Sequence, residues 1–155
     1  MEVEGIFRIT GYPNEIKAIK QAFMKSMYDF TMSTHHEDKT KIDLSKYHPE
    51  SVASVLKHFF LEMQDPLIPF EVYDCFLAAM GVQKISTTGE NLHIIALRKA
   101  LELLPPGNHR ALRRLMSLLQ KCTKYSKQNK MNAQNLSTVF APSLIRKREG
   151  TIKGS

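Results

Sequence analysis

The residue whose chemistry stands out first is Arg8. It lies in Glu4-Gly5-Ile6-Phe7-Arg8-Ile9-Thr10-Gly11, an apolar stretch interrupted by one arginine and bracketed by two glycines. Gly5 and Gly11 permit tight turns. Ile6 and Phe7 would pin such a loop to a core and so hold Arg8 at a fixed position. A guanidinium held that way offers a planar, permanently charged fork to a phosphate. Arginines are mostly exposed, however, so the residue types alone favour an ordinary solvated side chain.

Other candidates carry less. His35-His36 sits in a polar stretch with Glu37 and Asp38. Metal ligation needs ligands converging from defined spacings, and no second cluster supplies them, so this pair reads as a solvated loop. Cys75 and Cys122 lack CxxC partners and have apolar neighbours on helical segments, so both read as small core residues. The methionines fall mostly at core spacing. No phosphate-binding loop, dinucleotide fingerprint or nucleophile elbow is present in the sequence.

The elements that would position these residues follow from apolar periodicity. Ile16, Ile19, Ala22, Phe23 and Met27 predict a helix over Asn14 to about Met27, with Pro13 suited to its first position. Val52, Val55, Leu56, Phe59, Phe60 and Met63 predict another from Pro49 to about Met63, before Pro66 and Pro69 forbid continuation. Thr31 to Lys46 reads as the loop between them. A third helix fits Phe70 to Met80, ended by Gly81 at a left-handed cap. A fourth spans about Glu90 to Leu104. A fifth runs from Asn108, read as its N-cap, to about Lys127, with Leu112, Leu115, Met116, Leu119 and Cys122 as its apolar stripe. The sixth starts at Asn132 and ends near Phe140, before Pro142. No convincing β alternation appears, so the expected fold is all-α, a helical domain with short connections.

Composition bounds the class. The chain has 155 residues, 43% of them apolar, which fits one domain over 1–155 and excludes a disordered chain. Two cysteines make no disulfide framework, and no apolar run approaches the ~20 residues a membrane span needs. The expectation is a soluble, cytoplasmic domain, with recruitment to a membrane open. The net charge of +7 is unevenly spread. Residues 105–155 carry eleven lysines and arginines against Glu149 alone, whereas residues 1–104 are net acidic. Such asymmetry suits an acidic protein partner, an anionic membrane surface or nucleic acid, or else a solvated helix face.

The arginine loop resembles a motif of the RhoGAP family, the GTPase-activating domains for Rho-type small GTPases. Three further blocks resemble the family's in order: Val55 to Pro69, Leu103-Leu104-Pro105-Pro106-Gly107-Asn108, and Asn129 to Leu144. Together they cover Glu4 to about Arg146. The resemblance implies an all-α RhoGAP-like domain that activates a Rho/Rac-type small GTPase in its GTP form and is not itself an enzyme. By motif position Arg8 would be the catalytic arginine finger, supplied in trans. Gly5, Phe7 and Gly11 would support its loop. Lys57, Asn135 and Pro142 would face the GTPase. No cofactor of its own is implied, because GTP and magnesium would be bound by the partner.

Departures from the family pattern bear on activity. Leu61 stands where the family usually has an arginine, Gln64 replaces a proline and Ala141 a common glycine. The chain also appears shorter than the family's domain at both ends, so a more mobile finger loop and weaker catalysis are expected. One alternative is a non-catalytic binding module of the same fold, for a GTPase or another protein. Another is a basic helical binder of membrane or nucleic acid. No nucleic-acid motif supports the latter, and no nucleic acid is expected as a partner.

Overall fold

The structure, a computed structural model, describes residues 2–32, 42–82 and 91–148. Its helices in chain order are α1 (Pro13–Met32), α2 (Pro49–Leu61), α3 (Tyr73–Gly81), α4 (Leu92–Glu102), α5 (Pro106–Thr123), α6 (Ser126–Asn129) and α7 (Ala133–Leu144). A 3-10 turn, Phe70–Val72, leads into α3. No strand occurs among the described residues, so the all-α expectation holds. None of these helices is long and apolar enough to cross a membrane. The chain divides into two compact units, Met1–Phe59 with Lys121–Val139, and Phe60–Gln120 with Phe140–Ser155.

In the first unit, Pro13 opens α1, where its missing N–H is one the helix would leave unpaired anyway. Tyr12 O accepts the first bond, from Ile16 N at 3.0 Å. Ile16 and Ile19 are buried as the periodicity requires, but Phe23 and Met27 are 43% and 71% exposed. The helix also runs five residues past Met27. Period 3.6 shows which residues share a face, not whether another element covers it. Met24, Met32 and, in the second unit, Met80 are exposed for the same reason, whereas Met131 is fully buried.

Helix α2 buries a face of small residues, Ser51, Ala53 and Ser54. The expected aliphatic stripe of Val52, Val55 and Leu56 is only half-buried, and Phe59 is exposed. Small side chains let a neighbouring backbone come closer than a valine would. A clasp joins the start of α1 to the start of α2. His48 N–H donates to Glu15 Oε2 at 3.2 Å, and His48 Nδ1 lies 2.8 Å from Glu15 Oε1. The Tyr12 and His48 rings stand 4.6 Å apart, centroid to centroid.

The second unit packs Leu67, Phe76, Leu112, Leu115 and Phe140 into its core. Here α5 begins at Pro106, not at Asn108. Pro105 O accepts from His109 N, and the Asn108 amide is used elsewhere, donating to Leu67 O at 2.9 Å. Helix α3 ends at Gly81 without a left-handed turn, because the chain leaves through Val82 in extended conformation and needs no positive φ. Cys75 is exposed, not buried as expected, while Cys122 in the first unit is fully buried. Helix α4 is capped by the Asn91 side chain, which accepts from Ile94 N. Helix α7 continues through Pro142 to Leu144. Proline removes one N–H and crowds the carbonyl of the preceding turn, but the last turn is held by burial of Ser143 and Leu144 and by Ile68 N donating to Leu144 O at 2.9 Å. His35-His36 lies outside the described residues.

Arg146 closes the C-terminal end of α2. Its guanidinium donates to Leu61 O at 3.4 Å, to Gln64 O at 3.3 Å and to Met63 O. A cation there also suits the helix dipole. Arg146→Ala should therefore lower stability by about 1–3 kcal/mol, read as a lower urea midpoint with unchanged slope.

Glu15 sets an acid limit on the clasp. Its carboxyl is held below its ordinary value of 4.5, first by the Ser51 hydroxyl and then by His48. A folded pKa below the unfolded one means stability that is fully present above 4.5 and is lost as pH falls through the folded value. The difference in thermal midpoint between the unaltered chain and Glu15→Gln should be constant from pH 7 to about 5 and shrink below that.

Candidate functional site

Arg8 sits on a tightly coiled loop. Gly5 O accepts from both Arg8 N and Ile9 N at 2.8 Å, and Ile6 N donates to Val3 O at 3.2 Å. The coil needs left-handed backbone at Gly5 (φ +69°) and at Phe7 (φ +68°). At Gly5 a side chain would also meet Ile9, 2.7 Å from an added Cβ. Phenylalanine in this region costs roughly 1–2 kcal/mol. Burying its ring, 4% exposed, is worth about 1.5–3 kcal/mol and offsets that cost. Ile6 is buried beside it in sequence. The turn leaves Arg8 exposed, and its guanidinium makes no hydrogen bond or ion pair with the described residues.

Both flanks of the loop are fastened. On the N-terminal side, Gly5 N donates to Asn129 O at 2.7 Å. Asn129 is itself fully buried; its Nδ2 donates to Cys122 O at 2.9 Å and its Oδ1 accepts from Met131 N at 2.7 Å. On the C-terminal side, Gly11 N donates to Ser54 Oγ at 2.9 Å and Tyr12 N to Ser51 Oγ at 3.0 Å. Gly11 has ordinary φ, and its lack of a side chain serves close approach. An added Cβ would lie 2.2 Å from Ser51 Cα and 2.4 Å from Ser51 N, which a helix backbone cannot yield.

Lys57 and Asn135 belong to the same compact unit as Arg8. Lys57 follows Ser54 by one turn on α2. It is half-buried, has no carboxylate partner among the described residues, and desolvation lowers the pKa of its amine. Next to it in sequence, His58 Nδ1 is buried without a hydrogen-bond partner. Asn135 occupies the first turn of α7, where its N–H donates to the capping Asn132 Oδ1 at 2.8 Å. Its amide Nδ2 donates to Lys130 O at 2.8 Å, so one of its two side-chain N–H donors is committed locally. Lys130 carries the left-handed turn (φ +58°) that follows α6. Pro142 belongs to the other unit, exposed in the last turn of α7, and Leu61 is 52% exposed in that same unit. Burial pushes the Cys122 thiol pKa up, which leaves it a protonated core residue.

Sequence reasoning missed Ser51, Ser54 and Asn129. Two serines at i, i+3 inside an apolar helical segment are a legible signal that a polar group will be met there. Asn129 carries no such local signal, because its partner Gly5 lies far away in sequence.

Chemically, the arrangement offers an exposed guanidinium on a backbone held from two sides. It can stabilise negative charge that another molecule brings to it.

Comparison with known proteins identifies the family and the fold. A family profile for the RhoGAP domain matches residues 1–149. The chain is 35% identical over 153 residues to Rho GTPase-activating protein gacY of Dictyostelium discoideum, covering 98% of this chain and 19% of that protein. It is 34% identical over 152 residues to beta-chimaerin of Mus musculus, covering 96% of this chain and 41% of that one. The chain thus spans less than half the length of these relatives. Among solved structures, the BH domain from Graf superposes with a TM-score of 0.75 at 22% identity, over 97% of this chain and 73% of that one. Human Rho GTPase activating protein 15 superposes with a TM-score of 0.72 at 26% identity, over 97% and 64%. From its arginine loop to the end of α7, the chain belongs to the RhoGAP domain family.

Proposed function

We propose that this chain is a GTPase-activating domain for a Rho/Rac-type small GTPase in its GTP form, and that Arg8 is its catalytic arginine. The observation that carries the reading is the exposed Arg8 side chain on a loop fastened at Gly5 and at Gly11–Tyr12. The GTPase would hold GTP and magnesium. Arg8 would enter that site in trans and neutralise charge that develops on the transferring phosphoryl group. A backbone already in place loses little entropy on doing so, which concentrates the benefit in the transition state. Lys57, partly desolvated and without an acidic partner among the described residues, would meet a GTPase acceptor. The remaining oxygen of Asn135 would accept from a GTPase donor, and Pro142 would lie on the GTPase-facing surface.

The experiment is GTP hydrolysis by a panel of Rho- and Rac-type GTPases with the unaltered chain and with Arg8→Ala. The substitution should remove about 10³–10⁵ of the stimulated rate, or roughly 4–7 kcal/mol, while leaving association with the GTPase largely intact. Arg8→Lys should recover little, because an ammonium lacks the planar fork. A second reading, a non-catalytic binding module, is favoured by Leu61, an aliphatic side chain where the family usually has a cation. It predicts association with no stimulation for Arg8→Ala to abolish.

An anionic membrane surface is the proposed meeting place. Arg110, Arg113 and Arg114 are exposed on α5, opposite the buried Leu112, Leu115 and Leu119, and no acidic residue lies on that helix. Each such cation contributes about 1 kcal/mol near an anionic leaflet. Sedimentation with phosphatidylserine vesicles should show binding that weakens with salt and drops when all three arginines are changed to glutamine. Equal binding to neutral vesicles would refute it.

A further inference from the structure

We infer that Asn129 is a positioning residue for Arg8, acting through Gly5. This rests on the reading of Arg8 as the catalytic arginine. Asn129 makes no approach to a substrate of its own, being fully buried. Its side chain holds the chain on both sides. Nδ2 reaches Cys122 O at 2.9 Å near the end of α5 and lies 3.4 Å from Cys122 Sγ, while Oδ1 takes Met131 N–H at 2.7 Å. Between these anchors the backbone carbonyl of Asn129 points at Gly5 N–H.

That carbonyl stands at the C-terminal end of α6, where helix carbonyls have no partner within the helix. Gly5 N–H supplies one at 2.7 Å. Gly5 O in turn receives Arg8 N–H at 2.8 Å. Two hydrogen bonds through a single residue therefore relate Asn129 to the backbone of Arg8. Gly5 has no side chain to resist rotation, so its φ of +69° depends on what its N–H and carbonyl meet. The turn is braced from the other direction as well, because Asn135 Nδ2 holds Lys130 O. A buried asparagine thereby sets the orientation of an exposed arginine. Truncating it frees the carbonyl direction, then Gly5, then the arginine head. A displacement of about 1 Å in a reacting group costs about 100-fold in rate.

The test is stimulated GTP hydrolysis with Asn129→Ala, Arg8→Ala and the double variant, each titrated against the GTPase. Asn129→Ala is expected to lower the maximal stimulated rate about 10–100-fold with the half-saturating concentration unchanged, and to add nothing in the Arg8→Ala background. A change in half-saturation alone, an unchanged maximal rate, or a further fall in the double variant would overturn the role. Amide hydrogen exchange on the unaltered chain gives an answer that does not depend on the variant folding. Gly5 N–H should be protected from exchange, and exchange at the unstructured rate would also overturn it. If Arg8→Ala loses stimulation and Asn129→Ala keeps it, the positioning role alone fails. If the unaltered chain stimulates no hydrolysis, the reading of Arg8 fails and the positioning role falls with it.

Discussion

The close approach of Gly11 to the backbone of Ser51 is the contact on which the arginine loop depends. With no room for a Cβ, the loop lies directly on α2. Only at that separation can Gly11 N and Tyr12 N reach the hydroxyls of Ser54 and Ser51. Those hydroxyls are buried, and a buried polar group left without its partner costs about 1–3 kcal/mol. The arrangement is therefore self-consistent in both directions. The helix needs the loop to satisfy its serines, and the loop needs small residues on the helix to come close enough. The same Ser51 hydroxyl also holds the Glu15 carboxyl below its ordinary pKa, so one residue bears on the loop and on α1.

The loop exploits a contrast between neighbours. Ile6 and Phe7 are buried, while Arg8 directly after them is exposed. A regular helix turns only about 100° per residue, and a strand would send Ile6 and Phe7 to opposite faces. Left-handed backbone at Phe7 makes the sharper turn, and its strain is held by burial of the ring. Strain of this sort persists only where the surroundings over-determine the conformation. Here the bonds at Gly5, Gly11 and Tyr12 do so. The N-terminal flank of the loop is fastened as well, with Gly5 N–H donating to Asn129 O.

Much of the fold was legible in local pattern. Pro13 and Pro49 mark helix starts because a missing N–H costs nothing there, and Asn132 caps α7 as its side chain suggests. The apolar stripe of α5 holds at Leu112, Leu115, Leu119 and Cys122. Errors arose where a long-range partner outweighed the local signal. Asn108 looked like a cap but bonds Leu67 O, and Pro142 looked like a stop but lies in a turn held by packing. Phe23 and Met27 follow helical spacing, yet nothing among the described residues of their unit covers them.

For the site, the order of residues around Arg8 was enough to mark a loop with a buried anchor and an exposed cation. Residue types determine that much, because burial preference and glycine's freedom are local properties. Which groups fasten the loop was decided only in the tertiary structure. Ser51, Ser54 and Asn129 reach it from segments distant in the chain, and a hydrogen bond depends on separation in space, which no spacing along the sequence encodes.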